Sequence, residues 1–168
     1  MPLALDRMEI DEAGRNDPVR LAEAIHRQLG SSSGPVPVRE IALALDIVEI
    51  REESLASFEG ALVTSHERSE GSILVNRSSN RQRRRYSIGH ELLHFLNPLH
   101  EQTTANGFEC SRADMALSGR LDGGGLRRHD RQEVEANRFA IELLAPVTRM
   151  RSFLGGFADL SQCPQSRS

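Results

Sequence analysis

The clearest chemical pattern in the chain is formed by two histidines and a glutamate in the sequence His90-Glu91-Leu92-Leu93-His94. Side chains four residues apart lie on one face of an α-helix, so both imidazoles can bind the same metal ion. Zinc in catalytic sites takes three protein ligands and leaves a fourth position for water. Glu91 would accept a proton from that water, whose pKa the metal lowers to about 7. The pentapeptide therefore predicts a hydrolytic metal site that needs a third protein ligand.

Three residues compete for the third position. His100 stands at the spacing of metzincin proteases, with Asn97 where those proteins have glycine. Cys110 offers a soft sulfur ligand but lies alone in loop sequence. Glu133 lies on the interior face of a predicted helix, where an unpaired carboxylate is costly unless a cation neutralises it. The residue pattern favours Glu133 slightly over His100, and the alternative for Glu133 is a partly exposed acid near the helix start.

Neighbouring residues on the same two helices are predicted to support this site. Asn137 lies one turn after Glu133 and is placed to hydrogen-bond a ligand histidine. Tyr86 lies one turn before His90 and is expected to pack against the sheet, with donation to an oxyanion as the less favoured role. His129 precedes the second helix and is expected at the surface, with a role at the site left open.

The spacing of apolar residues and the capping signals predict an α+β fold with helices around a small three-stranded sheet. Residues 101–129 are polar and glycine-rich, which is typical of a long loop. We expect a flexible N-terminal arm over 1–16, a single domain over 17–154 and a frayed C-terminal tail over 155–168. The predicted helices cover residues 18–29, 38–45, 80–96, 130–144 and a short segment to 154, and the predicted strands cover 46–52, 58–63 and 71–76.

Composition excludes several classes of function. The chain of 168 residues has a net charge of -3, so no overall basic field attracts nucleic acid. It contains no lysine, which excludes P-loop ATPases and Schiff-base enzymes. The arginine-rich run 81–85 is expected to be a solvated helix face without direct nucleic-acid binding. Two distant cysteines, no apolar leader and no membrane-length apolar run predict a cytoplasmic protein.

Two segments, RRRYSIGHELLHFL and EVEANRFAIELLAP, resemble the ImmA/IrrE-like metallopeptidases. The resemblance extends over roughly residues 18–150 and implies a compact zincin-like domain. It implies that His90, His94 and Glu133 bind Zn²⁺ and that Glu91 is the catalytic glutamate. Leu93 stands where the family usually has glycine, and the loop between the two motifs is long.

The same resemblance implies a zinc-dependent endopeptidase that hydrolyses one protein partner. The implied partner is a DNA-binding repressor or an antitoxin-like regulator, cleaved under stress or during mobile-element induction.

The alternative is a metal-binding regulatory protein that acts by contact without proteolysis, and a metal-free helical protein is a third interpretation. An open, water-bearing site favours catalysis, whereas a fourth protein ligand such as Cys110 favours a structural metal. Mn²⁺ or Fe²⁺ also suits two histidines and a carboxylate.

Overall fold

The computed structural model describes residues 2–30, 34–118 and 126–160, with side chains up to residue 155. The predicted α+β class is confirmed. None of the helices in these ranges has both the length and the apolar character needed to cross a membrane. The helices are α1 (Arg7–Gly14), α2 (Pro18–Leu29), α3 (Val38–Ala44), α4 (Arg81–Leu96), α5 (Arg128–Leu144) and α6 (Val147–Leu160), and the strands are β1 (Ile47–Glu53), β2 (Gly60–Thr64), β3 (Gly71–Asn76) and β4 (Gly107–Cys110).

Within the described residues the sheet has four strands in the order β1-β3-β2-β4, not the predicted three. β1 is parallel to β3, and the other two pairings are antiparallel. The additional strand, β4, lies inside the stretch expected to be a loop. Its four residues are too few to show a periodic pattern, and its pairing with β2, for example Leu62 opposite Phe108, is a long-range contact. The residues that form this contact are far apart in the sequence, so no local pattern predicts it.

The central helix, α4, packs against the sheet and against α5. It begins where the Asn80 side chain accepts a hydrogen bond of 2.8 Å from the Arg83 amide, and it ends before Asn97 and Pro98. Gly89 faces α5, and a Cβ atom there would lie 3.4 Å from Ala140. Two small residues at this crossing therefore allow the two helices to approach closely, which brings their polar side chains within bonding distance.

The N-terminal segment differs from the predicted flexible arm. Residues 7–14 form α1, which packs against α2, and Ile10 is fully buried in the core. Asp6 caps this helix by accepting a hydrogen bond from the Glu9 amide, and Arg7 forms an ion pair of 2.9 Å with Asp46. A short helix with few apolar residues carries a weak periodic signal, so the contacts with the rest of the fold determine its structure.

The C-terminal helix is also longer than expected. We predicted a short helix to residue 154 and a frayed tail from 155, whereas α6 continues to Leu160. Residues 161–168 lie outside the described part of the chain, so the prediction of a frayed end there stays a prediction. Several apolar side chains of α6 are exposed. Over its described side chains the helix therefore has no clear division into a buried apolar face and an exposed polar face, and the sequence pattern does not show its full length.

We expect Ile10→Ala to destabilise the protein by about 2–5 kcal/mol, because it leaves a cavity where α1 meets the core. Urea unfolding followed by circular dichroism measures this change. The matched variant Met8→Ala, on the exposed side of the same helix, should change the free energy of unfolding by less than about 0.5 kcal/mol. Equal effects of the two substitutions would show that α1 is not docked in solution.

Candidate metal centre

Helices α4 and α5 bring the two histidines and the glutamate of the predicted site together. His90 Nε2 lies 3.1 Å from His94 Nε2 and 3.1 Å from Glu133 Oε2. His94 Nε2 lies 3.5 Å from Glu133 Oε1. All three side chains have no exposed surface. The structure thus places the three predicted ligands on one point, and their assignment as ligands stays a prediction.

Asn137 fixes the orientation of His90. Its Nδ2 donates to the carbonyl oxygens of Asp114 (2.9 Å) and Leu117 (3.0 Å), so its Oδ1 faces the other way. That oxygen accepts from the Tyr86 hydroxyl at 2.8 Å and lies 2.9 Å from His90 Nδ1. His90 Nδ1 must therefore carry a hydrogen, and Nε2 keeps its lone pair for a cation. The predicted support role of Asn137 agrees with this geometry.

Tyr86 uses its hydroxyl on Asn137 and is not aimed at a substrate oxyanion. Burial raises the pKa of Tyr86 to about 12, so the phenol is neutral and acts as a donor at neutral pH. Its ring lies beside the ring of His90, with the centroids 6.5 Å apart. Tyr86 therefore helps to position the histidine through Asn137 of α5, and the expected packing against the sheet stays a prediction.

His100, the rival for the third ligand position, lies behind His94 and does not join the cluster. Its Nδ1 is 2.8 Å from His94 Nδ1, and its Nε2 is 3.0 Å from a carboxylate oxygen of Glu135. Asn97 has an extended backbone (φ -94°, ψ 103°), and the chain after it places His100 beside Nδ1 of His94, away from Nε2. Burial lowers the pKa of His100, so the ring is neutral and donates to Glu135 through Nε2. His94 then donates through Nδ1, and its Nε2 keeps the lone pair.

These hydrogen bonds leave three acceptor groups facing one another in a dry site. Burial lowers the pKa of His94 to about 3, which keeps that ring neutral. Burial would raise the pKa of Glu133, but the two adjacent histidines hold that pKa below its usual range, so the carboxylate is charged. Its Oε1 is buried without a hydrogen-bond partner among the described residues. Acceptors at this distance repel unless a cation lies between them.

The donor set fits a divalent metal. Zinc–nitrogen bonds of about 2.0–2.1 Å put two tetrahedral nitrogen ligands roughly 3.3 Å apart, close to the observed 3.1 Å between the Nε2 atoms of His90 and His94. A single proton can also relieve the repulsion in the metal-free chain. Burial opposes a charge on His90, but the bond with Glu133 and the nearby Glu91 raise its pKa. A metal replaces that proton on binding.

Two additional buried residues adjoin the three predicted ligands. Cys110, at the end of β4, offers a sulfur atom within 4.8 Å of the other ligand atoms. Both carboxylate oxygens of Glu91 are buried, and neither has a hydrogen-bond partner of good geometry in the described chain. Burial raises the pKa of Glu91 to about 8. The charge of His90 and a hydrogen bond from the Cys110 thiol act in the opposite direction and keep the rise smaller. A Cβ atom at Gly60 would lie 2.6 Å from Glu91 Oε1, so a side chain at this position would displace the carboxylate from its present place.

Three positions around the centre were missed or undervalued by sequence reasoning. The Phe108 ring stacks on His94 with centroids 4.6 Å apart, and the Arg68 guanidinium lies 5.3 Å from the Phe108 ring on β4. Arg68 also donates to the carbonyl oxygens of Asn97 and His100, which fixes the loop after α4. No local pattern marks Arg68, because its partners lie about 30 residues further along the chain.

His129 is the third of these positions. It was expected at the surface, and its side chain is 43% exposed, yet its Nδ1 lies 3.8 Å from Glu133 Oε1. Its Nε2 lies 3.3 Å from Asp114 Oδ1. The spacing of four residues between His129 and Glu133 on one helix is the signal that could have placed it at the rim of the site.

Comparison with known families agrees with this geometry. Residues 46–159 match the IrrE N-terminal-like domain, a peptidase family, and this is more than half of the chain. The chain therefore belongs to the IrrE N-terminal-like domain family, and its function is of the metallopeptidase type. The match begins just after α3, so the first three helices precede it. None of the curated proteins matches the chain in sequence.

We expect Asn137→Leu to weaken Zn²⁺ affinity about 10–100-fold, because His90 loses the acceptor that fixes its tautomer. Asn137→Asp keeps an acceptor for His90 and should retain most of the affinity, although it loses both backbone carbonyl contacts. Tyr86→Phe serves as the matched control, because it removes only the second donor to the same oxygen. Competition with a chromophoric chelator measures the affinities. Equal losses in the Leu and Asp variants would contradict the orienting role.

Proposed function

We propose that this protein is a zinc-dependent endopeptidase that hydrolyses a peptide bond in one specific protein partner. The observation that carries the proposal is the convergence of two imidazoles and one carboxylate, all fully buried, on a single point. His90, His94 and Glu133 would hold the metal. Zinc bound there would polarise a peptide carbonyl and make water a stronger acid at neutral pH.

Glu91 supplies the acid–base chemistry in this proposal. It lies next to His90 on α4, and its two oxygens are not occupied by other protein donors of good geometry. Burial raises the pKa of Glu91, and a bound cation would favour its ionised form, which could accept a proton from the attacking water and pass it to the leaving amine. Asn137 and His100 hold the ligand histidines in the tautomers that leave Nε2 free, and the buried surroundings strengthen every charge interaction.

The proposed substrate is a DNA-binding repressor or an antitoxin-like regulator in a stress or mobile-element response. The family resemblance supports this class of partner. The geometry supports a narrow substrate range, because the two histidines, Glu91 and Glu133 have no exposed surface. A peptide reaches them only when part of the surrounding structure moves, and a specific partner can provide the binding energy for that movement.

One observation favours a second candidate function, a regulatory protein that acts by contact and uses its metal for folding. Structural zinc sites have four protein ligands and no open position. Cys110 provides a possible fourth ligand atom in the same buried cluster. In that case the metal would stabilise the fold, and Glu91 would have no chemical role.

Metal analysis of the protein as purified, without added zinc, tests the common basis of both functions. We expect one bound metal ion per chain and a loss of binding in Glu133→Gln, which removes a charged ligand. The exposed Glu23→Gln serves as the control and should bind metal like the parent. A metal-free parent protein that also fails to bind added Zn²⁺ would contradict both functions.

Glu91→Gln separates catalysis from a structural metal. We expect the variant to bind zinc like the parent but to lose proteolysis by at least about 100-fold, because general acid–base groups contribute about 10²–10⁴-fold. The measurement compares new protein N-termini in cells that produce the parent or the variant. New N-termini in a repressor or antitoxin with the parent alone would support the proposed substrate class. Equal cleavage by both proteins would remove Glu91 from the mechanism.

A further inference from the structure

Strand β4 brings a fourth candidate ligand atom, the sulfur of Cys110, to the metal centre. The ligand atoms of His90, His94, Glu133 and Cys110 all lie within 4.8 Å of one another, and all four residues are buried. Glu133 Oε1 has no hydrogen-bond partner among the described residues and points into the same cluster. Two nitrogens, one oxygen and one sulfur are the number and kind of donors that complete a tetrahedral zinc site.

The thiol reaches the cluster on an ordered strand. Alternate residues of β4 face the interior, so Phe108 and Cys110 are buried whereas Glu109 is exposed. Phe108 stacks on the ligand His94, which fixes this face of the strand against the site. The carbonyl oxygen of Cys110 accepts from the Glu59 amide at 2.9 Å, and Cys110 pairs with Gly60 of β2. The position of Cys110 is therefore set by backbone pairing.

We infer that Cys110 is a fourth protein ligand of the metal, and that it keeps the site closed until β4 and the segment after it move away. The inference rests on the proposed function and adds its regulation. Metal binding converts the thiol to a thiolate and releases one proton to solvent. On opening, the thiolate leaves the metal and takes up a proton, and the fourth position becomes available to water or to a substrate carbonyl.

The covering segment, residues 107–117, lies at one edge of the sheet and contributes Phe108, Cys110 and Met115 to the buried core. β4 is an edge strand of four residues that pairs only with β2 in the described sheet. Beyond it, Arg112 donates two hydrogen bonds to Glu59 at 2.8 and 2.9 Å, and its side chain is 76% exposed. Asn137 holds the carbonyl oxygens of Asp114 and Leu117. Because Asn137 also orients His90, movement of this segment is coupled directly to a ligand histidine.

The main alternative is that the Cys110 thiol only packs beside Glu91 as a weak donor. The two arrangements differ in one measurable property, a bond between sulfur and metal. Co²⁺ reports this bond, because thiolate ligation gives an intense near-ultraviolet charge-transfer absorption that nitrogen and oxygen ligands do not give. Cys163→Ser removes the other cysteine of the sequence, so the full-length Cys163→Ser protein is the reference in which Cys110 is the single thiol.

In this reference protein we expect one Co²⁺ per chain and a sulfur–cobalt absorption band. Adding Cys110→Ala should abolish the band and weaken Zn²⁺ affinity about 100-fold, since even indirect partners of a zinc site typically contribute about 10–100-fold. Cys110→Ser nearly preserves the side-chain volume and should also lose the band while it keeps the fold by circular dichroism. If the reference protein binds Co²⁺ without the band, the ligand assignment is overturned and the proposed function is unaffected. If it binds no metal, the proposed function fails as well.

A second measurement tests the closure. Acetohydroxamate binds metal ions that have a free coordination position, and its binding changes the visible spectrum of Co²⁺. We expect the reference protein to bind it at least tenfold more weakly than the Cys110→Ala and Cys110→Ser variants. Equal acetohydroxamate affinity in all three proteins would show that the site is open with Cys110 present, and would overturn the proposed closure even if sulfur contacts the metal.

Discussion

The structure depends on one electrostatic constraint, the burial of three acceptor groups that face one another. The Nε2 atoms of His90 and His94 lie 3.1 Å apart beside the Glu133 carboxylate, in a place that solvent does not reach. Burying such a group without a partner costs several kcal/mol, roughly 2–7 for a neutral polar group and more for a charge. A cation at the centre removes this cost and turns the repulsion into binding energy. Metal binding and folding are thus expected to stabilise each other.

The surrounding hydrogen bonds make this arrangement possible because they assign every proton. Asn137 accepts from His90, and His100 accepts from His94 while it donates to Glu135. Each ligand ring is therefore held with its Nδ1 hydrogen turned outward and its lone pair turned to the centre. The same Asn137 holds the backbone after β4, so the orientation of a ligand and the position of the covering segment are set by one amide group. We therefore expect a shift of this segment to disturb the orientation of His90.

Tight packing between helices brings the donors together and keeps water out. Gly89 on α4 and Ala140 on α5 allow the two helices to approach closely, which places Glu133 within reach of both histidines. On the other side, Phe108 of β4 stacks on His94 and is itself covered by Arg68. A low-polarity enclosure of this kind strengthens charge interactions with a bound ion, but it also prevents substrate entry. Under the proposed function this enclosure has to open for catalysis, and β4, at the edge of the described sheet, is the element proposed to move.

Short-range spacing in the sequence was sufficient to predict the helix that carries His90, Glu91 and His94, the interior face of Glu133 and Asn137, and the α+β class, because helical periodicity depends only on neighbours along the chain. The choice between His100, Cys110 and Glu133 depended instead on the path of the backbone between α4 and α5. The conformation at Asn97 turned His100 behind His94, and strand pairing with β2 brought Cys110 into the cluster. Strand β4, the docking of α1 and the role of Arg68 likewise arise from contacts between residues far apart in sequence. Tertiary structure decided these features because their stabilising partners are absent from any local window of the chain.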